Sequence, residues 1–211
     1  PDHPPMHEIG KQTRIDDQAS FTELLSKLEE DDHDPSFTIN IPGHEMALYR
    51  SKDQWVLADN NVMITTEDTE DNKEIWEYIS SWFSSDDNTN ICYCIKEISL
   101  DKDQDSRLAS VDESYNIAMS ENKEKEYIKR VPLEIAVMNS DVIAVKQLIG
   151  VGVQMGVKPF LIHRACAVGN LDIVELLIYV NAADVNKVDG DGLTPLSIAC
   201  EKGHKDVVDL L

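Results

Sequence analysis

Apolar positions in the last third of the chain recur as pairs of short, helix-sized clusters. Leu133-Glu134-Ile135-Ala136, Leu161-Ile162-His163-Arg164-Ala165-Cys166 and Leu196-Ser197-Ile198-Ala199-Cys200 each open one helix, and Gln147-Leu148, Leu176-Leu177 and Leu210-Leu211 close a second. Between them stand Gly169-Asn170 and Gly203-His204, turn residues that release one helix and start the next. Ala165 and Ala199 lie 34 positions apart, and Ala136 and Ala165 lie 29 apart. A single helix pair of this size cannot bury its own apolar face, so the pattern predicts a stack of such pairs over residues 127–211.

The front of the chain has a different rhythm. Residues 1–20 are rich in Pro, His and Asp without periodicity, which predicts a disordered or lead-in segment. His3 and His7 are not expected to share a metal, because Pro4 and Pro5 between them argue against a common helix face. Phe21, Leu24, Leu25 and Leu28 recur at helical spacing behind Ser20 as the cap, and the helix must stop before Asp34-Pro35. Strand-like runs follow at 37–41, 44–50 and 55–59, with a turn at 51–54 joining the last two. Residues 74–83 predict a helix with Ile75, Trp76, Ile79, Trp82 and Phe83 on one face. Residues 91–100 predict a strand that puts Cys92, Cys94, Lys96 and Ile98 on one side and Tyr93, Ile95 and Glu97 on the other. Residues 101–126 are charged, with little apolar content before Tyr115, Ile117 and Met119, and read as a linker or a surface helix. The expected organisation is an α+β domain over 21–126, with a mainly antiparallel sheet, followed by an all-α repeat solenoid over 127–211.

Charge narrows the choice of partner. The formal net charge is −21; residues 1–130 hold 30 acids and 13 bases, and residues 131–211 hold 10 and 6. An acidic front half is repelled by nucleic acid and anionic lipid, so no nucleic-acid partner is expected. No apolar run approaches 18 residues, so no membrane span is expected. The four cysteines show neither disulfide-framework nor zinc spacing, and Cys92-Tyr93-Cys94 is too tight for a zinc pair. A reducing compartment is the simpler reading, and neither a metal nor a cofactor is expected. Cys166 and Cys200 read as small core residues.

The third helix pair opens with Asp191-Gly192-Leu193-Thr194-Pro195-Leu196-Ser197-Ile198-Ala199, which resembles the ankyrin repeat. Thr194 fits the cap and Pro195 the first helical turn, where its missing N–H costs nothing. The resemblance implies about three repeats, the last truncated at Leu211, and a protein-binding surface built from inner helices and hairpin tips. His163 and Arg164 on an inner helix, with Asn186, Val188, Asp189 and Asp191 on the tip between the second and third repeats, are the binding residues it implies. The first tip, 150–158, is rich in Gly and Val and departs from the pattern.

His44 and Asp59 carry the candidate chemistry. Facing residues in an antiparallel hairpin have numbers with a constant sum, here 105 for a four-residue turn at 51–54 or 103 for a two-residue turn at 51–52. Both sums place His44 and Asp59 on one sheet face, diagonal in the first register and opposite in the second. A carboxylate beside a histidine fixes its tautomer and supports the imidazolium formed when a thiol is activated. Residues Ile39-Asn40-Ile41-Pro42-Gly43-His44-Glu45-Met46-Ala47-Leu48-Tyr49-Arg50 and Trp55-Val56-Leu57-Ala58-Asp59-Asn60-Asn61 resemble the second half of a papain-like cysteine peptidase, closest to the toxin and effector types of pathogenic bacteria. That resemblance implies His44 as the catalytic histidine and Asp59 as the orienting acid. Its nucleophilic cysteine precedes the histidine, whereas no cysteine precedes Cys92 here. Three outcomes stay open: the thiol lies upstream of Pro1, the domain is a degenerate relative, or the domain belongs to another family.

Together the two resemblances imply an effector secreted by an intracellular bacterium into the host cytoplasm. Its repeats would bind a host protein while a thiol acyl-transfer domain, most simply a peptidase, acts on host protein. The alternative is a non-enzymatic ankyrin adaptor or scaffold, plainly cytoplasmic, whose front domain is a second binding surface.

Overall fold

The computed structural model describes residues 5–29, 35–41, 43–51, 54–60, 62–66, 72–82, 91–101, 103–110, 126–150, 160–180 and 183–211. The chain divides into two compact units, Pro1–Glu121 and Asn122–Leu211.

The first unit is a six-stranded antiparallel sheet in the order β1-β6-β2-β3-β4-β5. The strands are β1 (His7–Asp16), β2 (Ser36–Ile41), β3 (His44–Ser51), β4 (Gln54–Asp59), β5 (Val62–Thr65) and β6 (Ile91–Ser99). Helices α1 (Gln18–Leu28) and α2 (Lys73–Ser81) join them. Strict alternation in β2 turns Phe37, Ile39 and Ile41 inward. They meet Met46, Leu48, Trp55 and Leu57 from the neighbouring strands, Phe21, Leu24, Leu25 and Leu28 from α1, and Ile75, Trp76 and Ile79 from α2 in one core. Removing this much apolar surface from water is the main force holding sheet and helices together.

Several expectations need correction. Residues 7–16 form edge strand β1 instead of a disordered or lead-in segment. Its inward positions are polar, so no apolar alternation marks it, yet the polar groups satisfy one another. The Arg14 guanidinium donates to both oxygens of Asp16 at 2.7 and 3.1 Å and to Gln12 Oε1 at 2.7 Å, and Tyr93 of β6 donates to Asp16 as well. Gly10 marks an irregularity in the β1–β6 pairing, and a Cβ there would lie 1.9 Å from Ser106 Oγ. The cap of α1 is Asp17, whose carboxylate accepts from Ser20 N at 2.8 Å, not Ser20. Residues 107–110 form a 3₁₀ turn that inserts Leu108 into the core, so this stretch is no linker. Strand β5 was also not expected; three of its four side chains are exposed, leaving it without an amphipathic signature. Residues 111–125 of the expected linker, with Tyr115, Ile117 and Met119, lie outside the described residues, as do Phe83 and the first repeat tip at 151–158.

The second unit is helical, with α3 (Glu126–Met138), α4 (Val142–Gly150), α5 (Leu161–Val168), α6 (Leu171–Tyr179), α7 (Pro195–Lys202) and α8 (Lys205–Leu210). Helices α3, α5 and α7 form one row, α4, α6 and α8 a second. Ala136, Ala165 and Ala199 are fully buried, and Val174, Leu177 and Val207 fill the layer beside them. Thr194 caps α7 by accepting from Ser197 N at 3.2 Å, with Pro195 in the first turn. Asn170 caps α6 and Asp141 caps α4 in the same way.

Gly169 and Gly203, four positions after Ala165 and Ala199, end α5 and α7 with φ near +80° and +76°. In the first repeat the matching position is Ser140, at φ +55°. Left-handed backbone is costly for a residue with a Cβ, and a Cβ at Gly169 would also fall 2.2 Å from His204 Nδ1. Gly169→Ala is therefore expected to destabilise the helical unit by on the order of 2 kcal/mol. Ser140→Gly should instead stabilise it, by roughly 0.5 kcal/mol after the entropy of the unfolded chain is counted. Denaturant unfolding followed by far-ultraviolet circular dichroism checks both. Trp55, Trp76 and Trp82, all in the first unit, report that unit separately by fluorescence.

Candidate functional site

Strands β3 and β4 pair from Ser51↔Gln54 to Ala47↔Ala58, the register whose sum is 105. His44 and Asp59 therefore share the sheet face that carries Met46 and Leu48, diagonally related where the hairpin opens. His44 Nε2 lies 2.8 Å from Asp59 Oδ2, with the two side chains 16% and 3% exposed. The approach is close without meeting hydrogen-bond geometry, so Nε2 has no hydrogen-bond partner among the described residues. We read the contact as an electrostatic pair. With Nε2 turned toward the carboxylate, Nδ1 is the nitrogen left to act as a base.

Helix α2 completes the site. Tyr78 donates to Asp59 Oδ2 at 2.6 Å, and Trp82, one turn on, stacks on the His44 ring with centroids 4.0 Å apart and planes 16° apart. Trp82 is 48% exposed, so it covers the imidazole and does not join the core face expected for it. The hydrogen bond from Tyr78 is the largest influence holding the Asp59 carboxyl below the usual range; desolvation opposes it and His44 adds to it. The same bond, with burial, raises the Tyr78 phenol. A carboxyl depressed in the folded state contributes stability above its unfolded value, and that contribution is lost as pH falls through the folded value. The Tyr78–Asp59 hydrogen bond is thus intact at neutral pH, and its contribution is lost as acid protonates Asp59.

The residues Tyr78 and Trp82 were absent from the expected site. Their signal was an i, i+4 aromatic pair on a helix, which sequence alone cannot distinguish from a core stripe.

The thiols lie elsewhere. Asn40 pairs with Cys94 on one side and Glu45 on the other, so the cysteines of β6 project from the sheet face opposite His44. Cys92 and Cys94 are buried, and burial pushes the Cys92 thiol well up. Cys166 is buried among helices and pushed up to about 12 by that burial. Cys200 is exposed and is not the core residue expected. A nucleophilic thiol needs the opposite influences, a nearby positive charge or a helix N-terminus.

In the helical unit the expected binding residues separate by role. Asn186, Val188 and Asp191 are exposed on the tip. Asp189 is half-buried and builds the tip: its Oδ1 accepts from Asp191 N and Leu193 N, both at 2.9 Å. His163 is 4% exposed, which corrects its assignment as a contact residue. Its Nε2 lies 2.8 Å from Lys187 O and 3.1 Å from Leu193 O. Two carbonyl acceptors require that nitrogen to carry the proton, so the ring fastens α5 to the following tip. Arg164 is half-exposed and ion-paired with Glu134 at 3.1 Å.

Capped helix pairs stacked in two rows, with loops fastened by a buried histidine, define a repeat module of the protein-binding class. Residues 133–211 match the family described as ankyrin repeats, in three copies; this part of the chain is an ankyrin-repeat module. The chain is 44% identical over 46 residues to "Potassium channel AKT1" of Oryza sativa subsp. indica, covering 22% of this chain and 5% of the relative. It is 44% identical over 50 residues to "Probable 26S proteasome regulatory subunit p28" of Saccharomyces cerevisiae, covering 24% and 22%. It is 42% identical over 50 residues to "Protein phosphatase 1 regulatory subunit 27" of Mus musculus, covering 24% and 32%. The chain thus spans under a third of the length of each of these relatives. Among the described residues, no helix is long and apolar enough to cross a membrane, and no group of three or more His, Cys, Asp or Glu could hold a metal ion.

Proposed function

We propose that the ankyrin module recruits a protein while the first unit is a papain-like thiol acyl-transfer domain, with His44 as general base and Asp59 as orienting acid. The approach of His44 Nε2 to Asp59 Oδ2 at 2.8 Å carries this reading. A buried carboxylate against one ring nitrogen leaves the other to take a proton from a thiol and return it to a leaving amine. Cys92, Cys94 and Cys166 are buried and Cys200 lies in the helical unit, so the reading needs a thiol other than these four. An acidic catalytic unit joined to an ankyrin module fits an effector that a bacterium places in a host cytoplasm, where the repeats choose the host protein acted on. Two of the relatives are named as regulatory subunits, one of the 26S proteasome and one of protein phosphatase 1, which supports recruitment of protein by the repeats.

Vinyl sulfone labelling of the full-length protein, mapped by mass spectrometry, tests the catalytic half. One modified cysteine that depends on His44 supports it. Label confined to Cys200 and indifferent to His44 removes it. In the module, Val188→Asp and Asn186→Ala should weaken partner binding about 10-fold or more if the tip is a contact, since a few interface residues carry most of the affinity. Titration calorimetry against the identified partner measures this.

The burial and orientation of Cys92 and Cys94 favour a second reading, an ankyrin adaptor whose first unit only binds. His44→Ala and Asp59→Ala separate the two, because an adaptor keeps its cellular effect through both changes and a peptidase loses it while retaining its partner.

A further inference from the structure

We propose that Tyr78 is a positioning residue of the His44–Asp59 pair, its hydroxyl fixing the carboxylate so that Oδ2 stays against the imidazole. The idea rests on the acyl-transfer reading for its chemical purpose, but the contact it describes can be tested apart from any activity.

Three observations carry it. First, the phenol makes a good hydrogen bond to Oδ2 at 2.6 Å, whereas His44, 2.8 Å from the same oxygen, does not meet hydrogen-bond geometry and Oδ1 has no hydrogen-bond partner among the described residues. Carboxylate torsions are broad and nearly two-fold, so the imidazole contact alone leaves the group free to turn. Second, Asp59 is the last residue of β4 and precedes Asn60 at φ +45°, so the strand ends where the side chain most needs an anchor. Third, the anchor is rigid, because Ile75, Trp76 and Ile79 root α2 in the core. The same helix presents Trp82 to the imidazole face. One packed element therefore sets the carboxylate and limits the ring, as a preorganised site requires. Among the described residues, the titratable groups facing Asp59 are His44 from β3 and Tyr78 from α2, while its partner on β5, Val62, brings no charge.

The test follows the Asp59 side-chain carbon by NMR through an acid titration, with Asp59→Asn to assign it. In Tyr78→Phe the Asp59 midpoint is expected to move up toward an ordinary carboxyl, because the strongest donor is gone. A ring-fluorinated tyrosine at position 78 keeps the shape and donates more strongly, so the midpoint should move down. The second variant decides the matter if Tyr78→Phe does not fold. An Asp59 midpoint unmoved in the folded variants overturns the proposal. On the full-length protein, the acid limb of vinyl sulfone labelling should move up in Tyr78→Phe along with the NMR midpoint. If labelling is independent of His44 while the NMR midpoints shift as stated, the acyl-transfer reading falls and the positioning role of Tyr78 stands. If labelling requires His44 but the midpoints do not shift, the reverse holds.

Discussion

In the full-length protein, His44→Ala is expected, on the proposed thiol acyl-transfer reading, to slow vinyl sulfone labelling of the proposed nucleophile by about 100-fold or more, the scale of losing a positioned base. A free thiol near its ordinary range is only a few per cent thiolate at neutral pH, and a paired imidazole raises that fraction by accepting the proton. Asp59→Asn should act in the same direction but less severely, because the amide retains the shape and loses the charge that supports the imidazolium. The background must be removed first. Cys200 is exposed and can react without any base, so the comparison is made on a Cys200→Ser background. Equal labelling rates with and without His44 would exclude a thiol enzyme built on this pair.

The largest effect on stability is expected from Asp16→Ala. Asp16 is fully buried and Arg14 is 3% exposed, and two hydrogen bonds join guanidinium to carboxylate. Tyr93, also fully buried, donates to the same carboxylate. Breaking such a pair from one side costs more than the pair contributes, since the remaining charge keeps its desolvation penalty; about 3 kcal/mol is expected. The double change Arg14→Met with Asp16→Leu should cost less, because no charge is then left inside. Tryptophan fluorescence during urea unfolding separates the two cases. A single change no more harmful than the double would show that a guanidinium left buried without its carboxylate carries no such penalty here.

Much of the fold could be read from the residues because their chemistry repeats at the right interval. Alternation in 36–41 and 44–51 placed strands within a residue of their ends, and helical spacing located α1 and α2. The repeat of alanines, turn glycines and the Thr194-Pro195 start gave the helix pairs, since each acts over a single turn of chain. Strand β1 was hidden because it buries Gln12, Arg14 and Asp16, which match no apolar template until Tyr93 arrives from a strand far along the chain. Burial also separated residues that look alike in a list. His163 proved to fasten a loop from inside, and Cys200 lies at the surface where Cys166 is enclosed.

For the candidate site the division is sharper. Parity along two neighbouring strands is a local property, so the chain alone determined that His44 and Asp59 share a face. The distance between them depended on which of two registers the hairpin took, and that is set by how the whole sheet packs on its helices. Tyr78 and Trp82 entered only through the tertiary fold, because a helix can meet a hairpin some 20 residues earlier only when a common core draws the two together.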